Sequence, residues 1–104
     1  MDGYLLTFFT QQSRTHAGVP LADWLLTQAR EIGARGATVI AASAGFGHDG
    51  RFHSDGFFDM DDRPLQVEMA LSAAECDRLL ARIAAEGLRI FYTRAPVAFG
   101  FTAA

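Results

Sequence analysis

The apolar residues change their spacing along the chain, and each change marks an element. Residues 4–9, YLLTFF, are apolar and aromatic with no helical spacing, which predicts a strand. The polar, glycine-ended QQSRTHAG that follows reads as a loop. Pro20 then opens a segment in which Leu21, Trp24, Leu25, Ala29 and Ile32 recur at three- and four-residue intervals until Gly33 and Gly36 stop it. A proline suits the first turn of a helix, where its missing N–H would have had no partner, so the pattern predicts an amphipathic helix.

Beyond it, ATVIAASA from Ala37 is β-branched and small, a second strand running into a glycine loop. PLQVEMAL, beginning at Pro64 or as early as Phe57, alternates Leu65, Val67 and Met69 with Gln66 and Glu68, a third strand. Ser72 and Glu75 then form an S-x-x-E capping box, with Leu71 and Cys76 at the two positions of a hydrophobic staple. The helix they open is expected to bury Cys76, Leu79, Leu80 and Ile83 and to end at Gly87. LRIFYT supplies a last strand, and an uncharged apolar tail, residues 95–104, is expected to dock on something.

The order is βαββαβ, an α+β chain of ferredoxin-like type whose two helices cover one face of a four-stranded antiparallel sheet. Strands one and four read as apolar on both faces: Tyr4, Leu6 and Phe8 against Leu5 and Phe9, and Leu88, Ile90 and Tyr92 against Phe91. The uncovered sheet face would then be a large apolar patch, and another copy of the chain is the simplest cover.

Length and charge narrow the functional classes. The 104 residues are read as one domain, with a core over about 4–94. Half of the residues are hydrophobic, so the chain is globular, and the net charge is −3 with no lysine. Without a basic excess, wholesale nucleic-acid or anionic-membrane binding is not expected. The single cysteine leaves no internal disulfide and suits a reducing compartment. MDGYLLTFFTQQ lacks a basic n-region and its apolar run is short, so neither a signal peptide nor a membrane span is expected, and the cytoplasm is the expected location.

GFGHDGRFH, residues 45–53, is the stretch with the most chemistry, and its first six residues spell G-x-G-x-x-G. In a dinucleotide fingerprint the glycines open a helix, yet RFHSDGFFDM has no helical periodicity, so that reading fails on context. His48, Asp49, His53 and Asp55, with His16 more remote, are sound donor types for zinc or copper, but the spacing H-x4-H matches no common structural site. DMDD after it reads as a turn. Ser13, Ser43, Ser54 and Ser72 lack a nucleophile elbow, and Cys76 is a staple residue, so no catalytic group is assigned and an enzyme is not expected. Two readings of Gly45 and Gly47 stay open: a backbone nest that approaches an anion, or glycines that permit positive φ at the neck of a hairpin loop.

HAGVPL, an amphipathic helix, ARGATVIAASAGFGHDGRFH and RPLQVEM in that order resemble the PII-like family called domain of unknown function 190, over residues 4–90. The chain is similar, more distantly, to the PII signal-transduction proteins, in which a strand ending in G-F-G leads into a long mobile loop. The resemblance implies a trimer that buries the second sheet face and an adenine nucleotide in the cleft between subunits. By position it implies Gly45, Phe46 and Gly47 at the foot of the loop, with His48 and Asp49 just beyond. It also implies Glu68 and Ala70 near the base, and Arg89 near the place of a phosphate-contacting lysine. The glycine-rich basic loop that grips the phosphates in PII is here shortened to AAEGLR, which leaves fewer donors for a triphosphate. No required cofactor is expected beyond this possible nucleotide ligand. The implied role is regulatory: residues 48–57 would order or release against a target, commonly a transporter or metabolic enzyme among PII relatives. The alternative is a metal-responsive trimer similar to the divalent-cation tolerance proteins, with His48 and His53 as ligands.

Overall fold

The computed structural model describes residues 1–46, the backbone of 52–54, and residues 62–104. Elements follow in the order β1 (Asp2–Gln11), β2 (Thr15–His16), β3 (Val19–Pro20), α1 (Leu21–Glu31), β4 (Thr38–Ala41), β5 (Ala44–Phe46), β6 (Phe52–Ser54), β7 (Pro64–Leu71), α2 (Ala73–Ala85) and β8 (Phe91–Ala98). The main sheet has the order β4-β7-β1-β8, with each neighbouring pair antiparallel. α1 joins β1 to β4 across β7, and α2 joins β7 to β8 across β1, which is the ferredoxin-like arrangement expected. Strands β2 and β3 form a short bridge, and β5 pairs with β6 in a separate ribbon.

The alternation in β7 decides which face is covered. Leu65, Val67, Met69 and Leu71 are buried, while Gln66, Glu68 and Ala70 are half-buried on the other side. Register carries the same division into β1, where Leu6 lies opposite Met69 and Phe8 opposite Val67. These side chains meet Leu21, Leu25 and Ala29 from α1 and Cys76, Leu79 and Ile83 from α2 in one core. Apolar surface removed from water, at about 25 cal/mol per Å², is what holds the helices to that face.

Helix α2 is fixed at both ends by its own sequence. The Ser72 hydroxyl accepts the Glu75 N–H at 3.2 Å, and the Glu75 carboxylate accepts the Ser72 N–H at 2.8 Å, a reciprocal capping box. That N–H bond above all, helped by the Arg35 guanidinium at 3.0 Å, holds the Glu75 carboxyl below its ordinary range. Leu71 and Cys76 are fully buried as the staple, and burial pushes the Cys76 thiol up. At the other end Gly87 takes φ +70°, just as Gly33 takes φ +90° after α1, a left-handed step that glycine makes without a Cβ penalty.

Several boundaries differ from the sequence reading. Pro20 sits one residue outside α1, at the N-cap, with extended ψ of 136°. The stretch ATVIAASA is not one strand: the rung from the Ala42 N–H to the Pro64 carbonyl, 2.8 Å, is its last bond to β7, and the chain then leaves the main sheet as β5. Strand β8 begins at Phe91, not Leu88, and continues to Ala98 through residues read as tail. Pro96 is tolerated there because β8 is an edge strand, paired only with β1. Beyond it the chain docks on the start of β1: Phe99 N–H donates to the Met1 carbonyl at 2.8 Å, and the Arg35 guanidinium lies over the Phe99 ring at 5.0 Å. Among the described residues no helix is long and apolar enough to cross a membrane.

Candidate functional site

One end of the main sheet gathers most of the described candidate residues. There β1 finishes at Gln11 opposite Pro64, β4 finishes at Ala41 opposite Leu65, and β8 starts at Phe91 opposite Phe9. Gly45 and Phe46 follow β4 at one edge, while Arg89 precedes β8 at the other. With β7 and β1 between them, the two edges lie about 14 Å apart, three strand spacings. Glu68 and Ala70 stand on the open face of β7, opposite Thr7 and Leu5 respectively.

Gly45 answers one question left open by its sequence. It lies in β5 opposite His53, and it is not among the positive-φ residues, so no left-handed conformation demands glycine. Among the described residues a Cβ placed on it would meet nothing nearer than the Pro64 ring at 3.7 Å, an ordinary contact. The described chain itself thus gives no reason for the missing side chain. Glycine inside a strand occurs at bulges, at tight bends and where a ligand or another backbone comes close. Its neighbour Phe46 is 74% exposed, an aromatic ring left for something else to cover. Gly47, His48, Asp49 and Asp55 lie outside the described residues, as does the side chain of His53, so neither the rest of the nest nor the metal alternative is placed. Among the described residues no group of three or more His, Cys, Asp or Glu is arranged to hold a metal ion.

The open face is less uniformly apolar than its sequence reads. Thr38, Glu68, Thr7 and Thr93 stand in register across all four strands and make a polar row through its middle. Toward the gathered end the next row is Ile40, Gln66, Phe9 and Phe91, and the rings at positions 9 and 91 pack at 5.6 Å. Ile40 and Phe91 are exposed. Glu68 offers only acceptors when ionised, so it suits hydroxyls or an exocyclic amine and not a phosphate.

Sequence reasoning missed the segment that stitches this end together. Buried Asp62 accepts the Ser13 N–H at 3.3 Å and the Gln11 side-chain amide at 3.3 Å, and also the Ser13 hydroxyl. Arg14 donates from Nη2 to the Arg89 carbonyl at 2.7 Å. His16 meets the Glu86 carboxylate at 2.9 Å and stands edge-on to Trp24, with ring centroids 4.9 Å apart. Ala17 with φ 53° and Gly18 with φ 80° make the tip between β2 and β3. The partners lie 49 to 75 positions away in sequence, so no local pattern announces them.

The four-stranded ferredoxin-like sheet with two helices on one face is the arrangement of the PII-like proteins. The chain belongs to the family of domain of unknown function 190, described as "Uncharacterized ACR", whose pattern matches residues 3–97. It is 32% identical over 80 residues to a UPF0166 protein of Aquifex aeolicus (strain VF5), covering 76% of each chain. Among solved structures it is similar to a Thermus thermophilus protein assigned to the PII-like signalling proteins, with TM-score 0.69, 19% identity, and 93% and 88% of the two chains covered. It is likewise similar to CPII of Thiomonas intermedia K12, a nitrogen regulatory PII-like protein bound to ADP, AMP and bicarbonate, with TM-score 0.67, 14% identity, and 93% and 87% covered. At these identities the structural likeness establishes the fold.

Proposed function

We propose that the protein is a PII-like regulatory protein that assembles as a homotrimer and binds an adenine nucleotide in the cleft between subunits. The observation that carries this reading is Gly45, a strand glycine with neither positive φ nor a crowded Cβ, beside an uncovered Phe46. In this reading the site is shared between copies: the foot of one chain, with Glu68 and Ala70, meets Arg89 of the next. CPII, which shares the fold, is bound to ADP and AMP. The ligand state is read by a target protein through the segment beyond the foot, with Gly47, His48 and Asp49 completing the anion contacts.

Two measurements on one preparation test this. Light scattering should give three times 11.3 kDa, and calorimetry should detect AMP or ADP. Gly45→Ala should leave the melting temperature unchanged or slightly raised, because glycine loses more entropy on folding and the Cβ has room. The same change should weaken the nucleotide by about 10-fold or more, each displaced N–H donor costing about 1 kcal/mol. A monomer at micromolar concentration removes the shared cleft, and unchanged affinity in Gly45→Ala removes the foot from the site.

A further inference from the structure

Arg14 and Arg89 stand together without a carboxylate partner among the described residues, whereas Arg35, Arg82 and Arg94 are paired with Glu75, Glu31 and Asp77. The nearby acid, Glu86, is engaged by His16. Arg14 reaches the Arg89 backbone at 2.7 Å, so two cations that no described carboxylate neutralises come from neighbouring positions, and an anion within reach of both side chains would draw on both charges. Arg14 is also held firmly. Its N–H donates to the Gln11 carbonyl at 3.2 Å, its carbonyl accepts the Leu21 N–H at 2.8 Å, and Ser13 before it is tied to Asp62. Its Nη2 bond to the Arg89 carbonyl spends one of five guanidinium donors and sets the two residues within a side chain's length of each other.

We infer that Arg14 is a second phosphate-binding residue of the nucleotide site, acting with Arg89 as a two-guanidinium clamp on the terminal phosphate of a nucleoside mono- or diphosphate. The inference rests on the nucleotide reading above and deepens it. The clamp supplies cationic donors where the AAEGLR turn is too short to wrap a phosphate in backbone N–H groups. Because Arg14 arrives pre-ordered from the β1–α1 connection, little entropy is lost when the anion binds. Bidentate guanidinium contacts to phosphate are among the stronger charge-assisted hydrogen bonds.

A merely structural Arg14, capping the Arg89 carbonyl, would affect stability and leave discrimination between phosphorylated and unphosphorylated ligands alone. Calorimetry with ADP and with adenosine therefore separates the roles, on the wild type and on Arg14→Gln, Arg14→Lys, Arg89→Gln and the double Gln variant, each checked for oligomer mass. Arg14→Gln should weaken ADP by about 10-fold or more while adenosine stays within about two-fold, and Arg14→Lys should recover part of the loss. The double variant should lose less than the sum of the single ones, since both act on one phosphate. Arg89 is exposed and without a side-chain partner among the described residues, so its variant keeps the test alive if Arg14→Gln fails to fold: Arg89→Gln must then lose ADP selectively. ADP binding that is insensitive to these changes, equal losses of ADP and adenosine, or strict additivity overturns the clamp alone. A wild type that binds no ADP overturns both the clamp and the nucleotide reading.

Discussion

Leu5 and Leu6 are neighbours in β1, and they face two different problems. Leu6 points to the helices and is fully buried against Met69, while Leu5 points to the open face opposite Ala70 and is half-buried. On the covered face the apolar residues run unbroken along β7 and into both helices. On the open face they are interrupted by the Thr38–Glu68–Thr7–Thr93 row. A core needs continuity because each apolar side chain gains from being surrounded. A surface meant to meet another polypeptide uses polar rows to fix register and to remain soluble while alone. The difference identifies the helix face as the origin of stability, and under the reading proposed above the open face is where another copy would be met.

The largest test of that contrast is the adjacent pair itself. Leu6→Ala should cost about 2–5 kcal/mol in chemical denaturation, the range for a fully buried leucine. Leu5→Ala should cost about 1 kcal/mol or less in dilute protein and more as concentration rises, if a second copy covers the face. Equal losses at every concentration would mean that the two faces are not energetically distinct.

Gly3 sharpens the contrast at the opposite end of β1. A Cβ there would stand 2.1 Å from the Leu71 carbonyl oxygen and 2.8 Å from the Phe99 ring, so backbone has to move. Gly3→Ala should therefore lower stability by about 1–3 kcal/mol, an overpacking cost, whereas Gly45→Ala should not. A melting temperature unaffected by Gly3→Ala would show that the docking of Phe99 is loose and that this end of the face is open as well.

The smallest effect concerns the cap of the covering helix. Ser72→Ala should cost about 1 kcal/mol. Glu75 has its folded pKa depressed, so its contribution is complete above the ordinary value of 4.5 and fades as pH falls through the lower folded value. Wild type should accordingly exceed Glu75→Gln in urea denaturation at pH 7, by about 0.5–1 kcal/mol, and the gap should narrow as pH falls below the ordinary carboxylate range. A gap that stays constant over this range would assign the effect to shape and not to charge.

Where physics is local, the sequence was legible: the Ser72–Glu75 box, the Leu71–Cys76 staple, the β7 alternation and the glycine stops at 33 and 87 all appear in place. Errors arose where the deciding partner is remote. Leu88 and Ile90 have strand-like character, yet β8 begins at Phe91, where pairing with Phe9 becomes possible, and it continues through Pro96 because an edge tolerates a missing N–H. The break after Ala41 and the departure of β5 depend on where β7 starts. Of the candidate site, Gly45, Phe46, Glu68, Ala70 and Arg89 were named from resemblance, but their distribution over two edges and a face is a matter of topology. Arg14 was invisible because its meaning comes from a carbonyl 75 positions away.

The staple residue Cys76 doubles as a built-in reporter. It is the chain's single thiol, fully buried beneath the first turn of α2, with its ionisation pushed upward by burial. A thiol reagent meets it only when that turn lifts, so the alkylation rate is a clock for local opening. Because α2 joins β7 to β8, and Arg89 follows it, the clock reads the helix that carries the chain from the covered core to the end of the sheet where β8 starts, without a label being introduced. A ligand or partner that tightens that end would slow it, and the slowing would measure the coupling between the two faces in solution.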